Sequence, residues 1–116
     1  MKFNYEGNSK FPGIYKIINT ISGRIYIGQA KSFQQRWYGH STSLRSGKHQ
    51  NRFIQNDFNK CFEQVGNDDF IEFHVIEVMD DSTKVQRKER EEHWISQFYD
   101  NQINCYNFHK IVSGNE

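Results

Sequence analysis

Two short runs with β-strand composition near the N-terminus constrain the fold more than any other feature of the sequence. They read Gly13-Ile14-Tyr15 and Tyr26-Ile27-Gly28, and residues 19–23 between them have the composition of a hairpin loop. If residues 20–23 form the loop, Tyr15 pairs with Gly28, both tyrosines lie on one face, and Gly28 leaves open space beside the Tyr15 ring. A shift of one residue would put the tyrosines on opposite faces. The first register predicts a hairpin that forms the floor of an active site.

The rest of the chain predicts a single α+β domain covering residues 1–116. This length suits one domain with one modest core. Apolar periodicity and capping residues predict a further strand, which joins the hairpin sheet, and three helices. The strand covers about 70–79, and the helices cover about 32–47, 51–62 and 81–98, the last one capped by Asp81 or Ser82. We expect residues 1–12 to form an irregular lead-in and residues 109–116 to form a loose tail.

Basic and acidic residues are segregated along the chain. The net charge is only +1, but residues 1–60 carry ten Lys or Arg against two acidic residues, and residues 61–116 carry five against twelve. The basic half also holds the hairpin, so a polyanion such as a nucleic acid is the natural ligand for this face. A charged, solvated surface without a ligand explains the segregation equally well on charge alone.

Several other classes of protein are disfavoured. No apolar stretch is long enough to span a membrane and the N-terminus lacks a signal peptide, so we expect a cytoplasmic protein without a membrane partner. The two cysteines, Cys61 and Cys105, do not form a CxxC pair and are expected to be reduced thiols. The five histidines lack metal-ligand spacing, and the chain has no P-loop, dinucleotide fingerprint or nucleophile elbow.

Polar side chains are predicted to face inward from two of the helices. His40 lies on the apolar stripe of the first helix with Arg36 at its margin, and Glu91 lies within the apolar face of the last helix. An inward carboxylate can hold a divalent cation, an arginine can bind phosphate oxygens, and a histidine can accept or relay a proton. Simpler interpretations stay open: core packing for His40, a buried ion pair between Arg36 and Glu91, and a turn or cap for Asn107.

In their order along the chain, these residues resemble the GIY-YIG nucleases, and most of all the catalytic domains of phage and intron homing endonucleases. The two triplets are followed by Arg36-Trp37, His40, residues 90–95 and Tyr106-Asn107, and the resemblance covers residues 11–108. It implies a small three-stranded antiparallel β-sheet flanked by three helices. It also implies hydrolysis of double-stranded DNA with one Mg²⁺ or Mn²⁺ per site, and an origin in a phage or mobile element.

The resemblance further implies roles for individual residues. The metal ligand would be Glu91, and the catalytic residues would be Tyr15, Tyr26, Arg36, His40, Glu91 and Asn107. Within the basic half, the candidate DNA contacts are Lys31, Arg45, Lys48, His49 and Arg52. Two other functions stay open, namely a free-standing restriction-type nuclease that acts as a dimer and a nucleic-acid-binding module that does not cut.

Overall fold

The computed structural model describes residues 1–100 and 104–107. The strands in this part of the chain are β1 (Lys2–Asn4), β2 (Gly13–Asn19), β3 (Ile25–Ala30) and β4 (Ile71–Val78). The helices are α1 (Phe33–Ser46), α2 (Arg52–Val65) and α3 (Lys84–Asp100). The α+β class and the three predicted helices are confirmed.

The sheet has four strands rather than the three that we predicted, and it is mixed rather than antiparallel. The strand order is β1-β4-β2-β3, and β1 runs parallel to β4 while the other neighbours are antiparallel. The lead-in supplies the extra strand because Phe3 stacks on Phe73 of β4, with 5.0 Å between ring centroids, and because the N-terminal ammonium group pairs with Asp68 at 2.7 Å. A strand of three residues is too short for its alternation to be recognised in the sequence.

The hairpin formed by β2 and β3 has the predicted register. Tyr15 pairs with Gly28 across the two strands. The backbone N–H of Asn19 donates to the carbonyl of Arg24 at 3.0 Å, which closes the loop over residues 20–23. Gly23 takes the left-handed conformation that this loop requires, with a φ of 77°. The register that the active-site prediction needs is therefore confirmed.

The helices α1 and α2 begin and end where their capping residues predict. Ser32 caps α1 by accepting from the backbone N–H of Gln35 at 3.5 Å, and Gly47 ends the helix. Asn51 caps α2 through its side-chain oxygen, and Gly66 ends that helix. Local sequence signals are enough to bound both helices.

The last helix, α3, begins later than predicted. Its cap is Thr83, whose hydroxyl accepts from the backbone N–H of Gln86 at 3.1 Å while the Gln86 side chain accepts from the N–H of Thr83 at 2.8 Å. The residues that we predicted as caps, Asp81 and Ser82, do not cap the helix. Asp81 has a φ of 58°, and both oxygens of Ser82 accept hydrogen bonds from Arg87.

Helices cover both faces of the sheet. Tyr15 belongs to the core between the sheet and helices α1 and α2, whereas its neighbour Ile14 packs with Ile95 of α3 on the opposite face. Both motif tyrosines lie on the α1 face, since the rings of Tyr15 and Tyr26 are 5.4 and 5.2 Å from the ring of His40. A residue of α3 can therefore approach the tyrosines only around an edge of the sheet.

Two broader expectations can be compared with the structure. Cys61 and Cys105 are free thiols, as predicted. Within residues 1–100 and 104–107, no helix is long and apolar enough to cross a membrane. The predicted loose tail at 109–116 lies outside the described residues.

Candidate active site

The hydroxyl group of Tyr15 is the centre of a buried hydrogen-bond network. Its oxygen lies 2.5 Å from Nε2 of His40, and Nε of Arg36 donates to it at 3.4 Å. Tyr15 is fully buried and His40 is 7% exposed. The Tyr15 ring lies over Gly28, where an added Cβ would stand 2.2 Å from the hydroxyl oxygen. The open space that we predicted beside Gly28 is therefore filled by the Tyr15 side chain itself.

A second histidine continues this network. Nδ1 of His40 lies 2.8 Å from Nε2 of His49, and the backbone N–H of Asn51 donates to Nδ1 of His49 at 3.0 Å. Because a backbone N–H can only donate, Nδ1 of a neutral His49 is unprotonated and Nε2 carries its hydrogen. That hydrogen goes to Nδ1 of His40, so His40 donates from Nε2 to Tyr15. The N-terminus of α2 thus fixes the tautomers of both imidazoles.

Both histidines of the network are neutral at neutral pH. Burial, followed by the electrostatic effects of the neighbouring His49 and Arg36, lowers the pKa of His40 from 6.5 to about 3. Burial also lowers the pKa of His49. In this arrangement His40 donates to Tyr15 and does not accept a hydrogen bond from it.

Burial also keeps the two motif tyrosines protonated. It has the largest effect on each phenol and raises the pKa of both Tyr15 and Tyr26. The positive charge of Arg36 lowers both pKa values, and the negative charge of Glu91 raises them. Burial therefore sets most of the pKa shift in both phenols, and one cation and one carboxylate act on it in opposite directions.

An open cleft of about 300 Å³ lies beside the network. Tyr26, Arg36, His40, Lys48 and His49 are among the residues that line it. Tyr26 is half-buried, so the second motif tyrosine, and not the buried first one, meets the cleft.

The carboxylate of Glu91 approaches the network around the outer edge of β3. The backbone N–H of Gln29, which points away from β2, donates to this carboxylate. Burial raises the pKa of Glu91, while Lys88, the Gln29 hydrogen bond and Arg36 lower it. Among the described residues no ion pair joins Glu91 to Arg36, so the structural ion pair that the sequence left open is not formed.

The surroundings of Glu91 can be compared with what a metal ion requires. In the described part of the chain, no group of three or more His, Cys, Asp or Glu side chains is arranged to hold one. Mg²⁺ commonly binds one or two protein carboxylates and completes its shell with water and the phosphate oxygens of the substrate. A half-buried carboxylate without a paired cation has the donor chemistry for a single Mg²⁺ or Mn²⁺.

The side chain of Asn107 pairs with the backbone of β3. Its Oδ1 accepts from the N–H of Ile27 at 2.7 Å, and its Nδ2 donates to the carbonyl of Ile27 at 2.8 Å. Just before it, the N–H of Tyr106 donates to the carbonyl of Ile25 at 2.7 Å. Asn107 therefore covers the outer edge of β3 with both ends of its amide engaged. A catalytic role for Asn107 stays a prediction.

The predicted DNA contacts are not gathered in one place. Lys31, Arg45, Lys48 and Arg52 are exposed, and of these four residues only Lys48 lines the cleft. Arg45 is already paired with Asp68 at 2.9 Å. His49 is half-buried, lines the cleft and also bonds to His40 in the network. Contacts between these residues and DNA stay predictions.

Sequence reasoning missed the groups that hold the candidate catalytic residues in place. His49 and Asn51 orient His40, and the backbone of Gln29 holds Glu91. A signal for the first pair was present, since a histidine two residues before a helix cap lies close to the first N–H groups of that helix. Gln29 makes its contact through the backbone N–H, which nearly every residue type has, so the sequence does not predict it.

Comparison with known proteins points to one family. The profile described as the GIY-YIG catalytic domain matches residues 11–104. Over 102 residues, which are 88% of this chain, the sequence is 35% identical to intron-associated endonuclease 1 of Enterobacteria phage T4. The chain spans only 38% of the length of that relative.

Solved structures agree with the sequence comparison. The catalytic domain of the homing endonuclease I-TevI matches with a TM-score of 0.67 and 32% identity, over 85% of this chain and 99% of that one. A point mutant of the I-TevI catalytic domain matches with a TM-score of 0.69 and 33% identity, over 84% of this chain and 92% of that one. The chain therefore belongs to the GIY-YIG family and is a nuclease domain similar to the catalytic domain of I-TevI.

Proposed function

We propose that this chain is a divalent-metal-dependent endonuclease that hydrolyses phosphodiester bonds in double-stranded DNA. The observation that carries the proposal is that three elements meet at the outer edge of β3. α3 contributes the carboxylate of Glu91, α1 contributes the guanidinium of Arg36, and the hairpin contributes the two tyrosines, whose pKa values respond to both charges. The relatives are named as endonucleases, which supports the same reaction.

The charge of the cleft suits a DNA backbone. Arg36 and Lys48 line it, and the guanidinium offers a fixed fork of donors to non-bridging phosphate oxygens. Gln35 belongs both to the cleft and to a neighbouring depression lined by Lys10 and Lys31. The cationic surface thus extends from the cleft toward the start of α1, where it would contact phosphates that flank the scissile bond.

Hydrolysis requires a group that takes the proton of the attacking water. Tyr26 is the motif tyrosine that meets the cleft, so its phenolate form would accept this proton, directly or through a second water, and become the neutral phenol. Burial raises the pKa of Tyr26, Arg36 lowers it and the charge of Glu91 raises it. The chemistry that a divalent cation supplies when bound at Glu91 is neutralisation of the phosphate and stabilisation of the departing 3′ oxygen.

Tyr15 and His40 act by holding Arg36. The oxygen of Tyr15 receives hydrogen bonds from Nε2 of His40 and from Nε of Arg36. The second of these bonds engages one donor of the guanidinium and leaves its remaining N–H groups for phosphate oxygens in the cleft. A preorganised cation of this kind stabilises the charge that develops on phosphorus without reorganising during the reaction.

Nicking of supercoiled plasmid tests the proposal. The wild-type protein should nick or linearise the plasmid in Mg²⁺ and leave it intact in EDTA. Intact plasmid in Mg²⁺ at a large excess of protein would rule the proposal out. Sequencing of the cut ends would then distinguish a fixed recognition site from a loose preference.

A further inference from the structure

Arg87 is buried on α3 without an acidic partner. It is 7% exposed, and within the described residues no ion pair joins it to a carboxylate. Its hydrogen bonds go to neutral oxygens: Nε donates to Oε1 of Gln29 at 3.0 Å, and Nη1 donates to the carbonyl and the hydroxyl of Ser82 at 2.7 and 3.1 Å. Burying a guanidinium without a counter-charge costs free energy. If the position only had to be filled, an apolar side chain would do so at a lower cost.

The buried face of α3 is polar in its first turns and apolar further along the helix. Ile95, which lies one turn after Glu91, packs in the apolar cluster on this face of the sheet. Arg87 lies one turn before Glu91 on the same side of the helix. Packing alone therefore does not explain why a buried arginine stands one turn before Glu91.

Gln29 of β3 contacts both of these polar residues. Its side chain accepts from Arg87 at 3.0 Å, and its backbone N–H donates to the carboxylate of Glu91. The two contacts lie one helical turn apart and fix the position of α3 along β3. Because Tyr26 and Gly28 lie on the same strand, these contacts also set the position of Glu91 relative to the hairpin.

The charge of Arg87 is not among those with the largest effects on Glu91. The charges with the largest effects on the pKa of Glu91 belong to Lys88, Arg36 and Glu92. The hydrogen bonds of Arg87 lead instead to Gln29 and Ser82.

We propose that Arg87 is a positioning residue for the metal-binding carboxylate. By holding the side chain of Gln29, it keeps the Gln29 N–H on Glu91 and so orients the carboxylate for a divalent cation. The inference rests on the proposed function, which assigns that cation to Glu91. Removing an outer partner of a metal ligand typically weakens metal binding by about 10–100-fold.

Amide hydrogen exchange in the metal-free protein tests the first step. Arg87→Met should speed exchange of the Gln29 amide by about tenfold or more, the effect of weakening one hydrogen bond. The amides of Ile25 and Ile27 are bonded along the same edge to residues 104–107 and should keep their rates. Unchanged protection of the Gln29 amide in the folded variant would overturn the proposal.

Titration of plasmid nicking with Mg²⁺ tests the second step. Arg87→Met should raise the half-saturating Mg²⁺ concentration by about tenfold and lower the rate at saturating Mg²⁺ much less. Arg87→Lys should behave in the same way, because an ammonium group cannot reproduce the fork that bridges Gln29 and Ser82. Lys84→Met removes an exposed cation from the first turn of the same helix and should change neither quantity.

Gln29→Met keeps the inference testable if Arg87→Met does not fold. It removes the same contact from the β3 side and should shift the Mg²⁺ requirement equally. Wild-type nicking together with an unchanged Mg²⁺ requirement in the variants would contradict this inference alone. A wild-type protein that does not nick in Mg²⁺ would contradict the proposed function and the role of Arg87 with it.

Discussion

Nε2 of His40 lies 2.5 Å from the hydroxyl oxygen of Tyr15, and the tautomer that His49 imposes on His40 assigns the hydrogen between them to the histidine. Its direction is set at the start of α2, where the N–H of Asn51 occupies Nδ1 of His49 and leaves the Nε2 hydrogen of that ring to His40. A buried polar network with a single proton arrangement is rigid. The oxygen of Tyr15 accepts from Arg36, and its position depends on three elements: β2, which carries Tyr15, α1, which carries His40, and the start of α2, which fixes the tautomer of His40.

Replacing His49 should disturb the site without touching the hairpin. His49→Phe keeps a ring in place but leaves Nδ1 of His40 without its donor, so His40 loses its fixed tautomer. We expect nicking to slow by about tenfold or more and stability to fall by about 1–3 kcal/mol. Long-range ¹H–¹⁵N spectra of the His40 ring would report the tautomer. Asn56→Ala, at an exposed position of α2 away from the cleft, is the control, and unchanged nicking and an unchanged His40 tautomer in His49→Phe would contradict the assignment.

A pair of glycine substitutions tests the placement of the Tyr15 ring. Gly28→Ala should destabilise the fold by about 1–3 kcal/mol, because the new Cβ would stand 2.2 Å from the Tyr15 hydroxyl oxygen. Gly39→Ala places a Cβ in α1 where nothing lies within 4 Å, so it should raise stability by up to about 1 kcal/mol. Urea unfolding measures both effects, and equal stability of the two variants would mean that the Tyr15 ring does not cover Gly28.

The neutral state of His40 makes the fold sensitive to acid. Its pKa falls from 6.5 to about 3 on folding, so the unfolded chain binds more protons in this window. The stabilisation is fully present above pH 6.5 and is lost as the pH falls toward 3. His49 also has a lowered pKa and acts in the same direction and the same window, and Asp68 and Glu77 act in this direction at lower pH; all three are present in wild type and variant.

The substitution His40→Phe removes this contribution and keeps that of His49. Thermal unfolding of wild type and variant should give a melting temperature that falls less steeply in the variant between about pH 6.5 and about pH 4. Parallel pH profiles for the two proteins would show that His40 is already charged in the folded state.

The role of Tyr26 can be read from the pH dependence of nicking. Because burial raises its pKa, the fraction of phenolate, and with it the rate, should rise with pH through the neutral range. Tyr26→Phe should lose this rise and slow nicking by about 10² or more. Tyr38→Phe removes the hydroxyl of a tyrosine on α1 that is 72% exposed, and it should leave the profile unchanged. A pH profile of Tyr26→Phe that follows wild type would assign the proton transfer to another group.

The parts of the fold that the sequence predicts are those with local signals. Asn19 and Gly23 bound the hairpin loop, and Ser32 and Gly47 bound α1, each through contacts within a few residues. β1 is different, because Phe3 forms a strand only by stacking on a residue of β4, 70 positions away along the chain. Contacts of that kind cannot be read from a three-residue run.

The same division applies to the site. The spacing of the motif and the helical face of Glu91 identify the candidate residues, because side-chain identity carries that information. The tautomer of His40 depends on the backbone N–H of Asn51, and the placement of Glu91 depends on the backbone of Gln29. Backbone donors are the same at nearly every position, so the sequence does not reveal which of them a side chain will use.

The most direct test of the central claim compares two neighbouring carboxylates of α3. Glu91 faces the hairpin and Glu92 is exposed, so Glu92→Gln should nick supercoiled plasmid in Mg²⁺ at the wild-type rate. Glu91→Gln should slow nicking by at least about 10² while DNA binding in EDTA is retained. Nicking by Glu91→Gln at the wild-type rate would contradict the assignment of Glu91 as the metal ligand of the site.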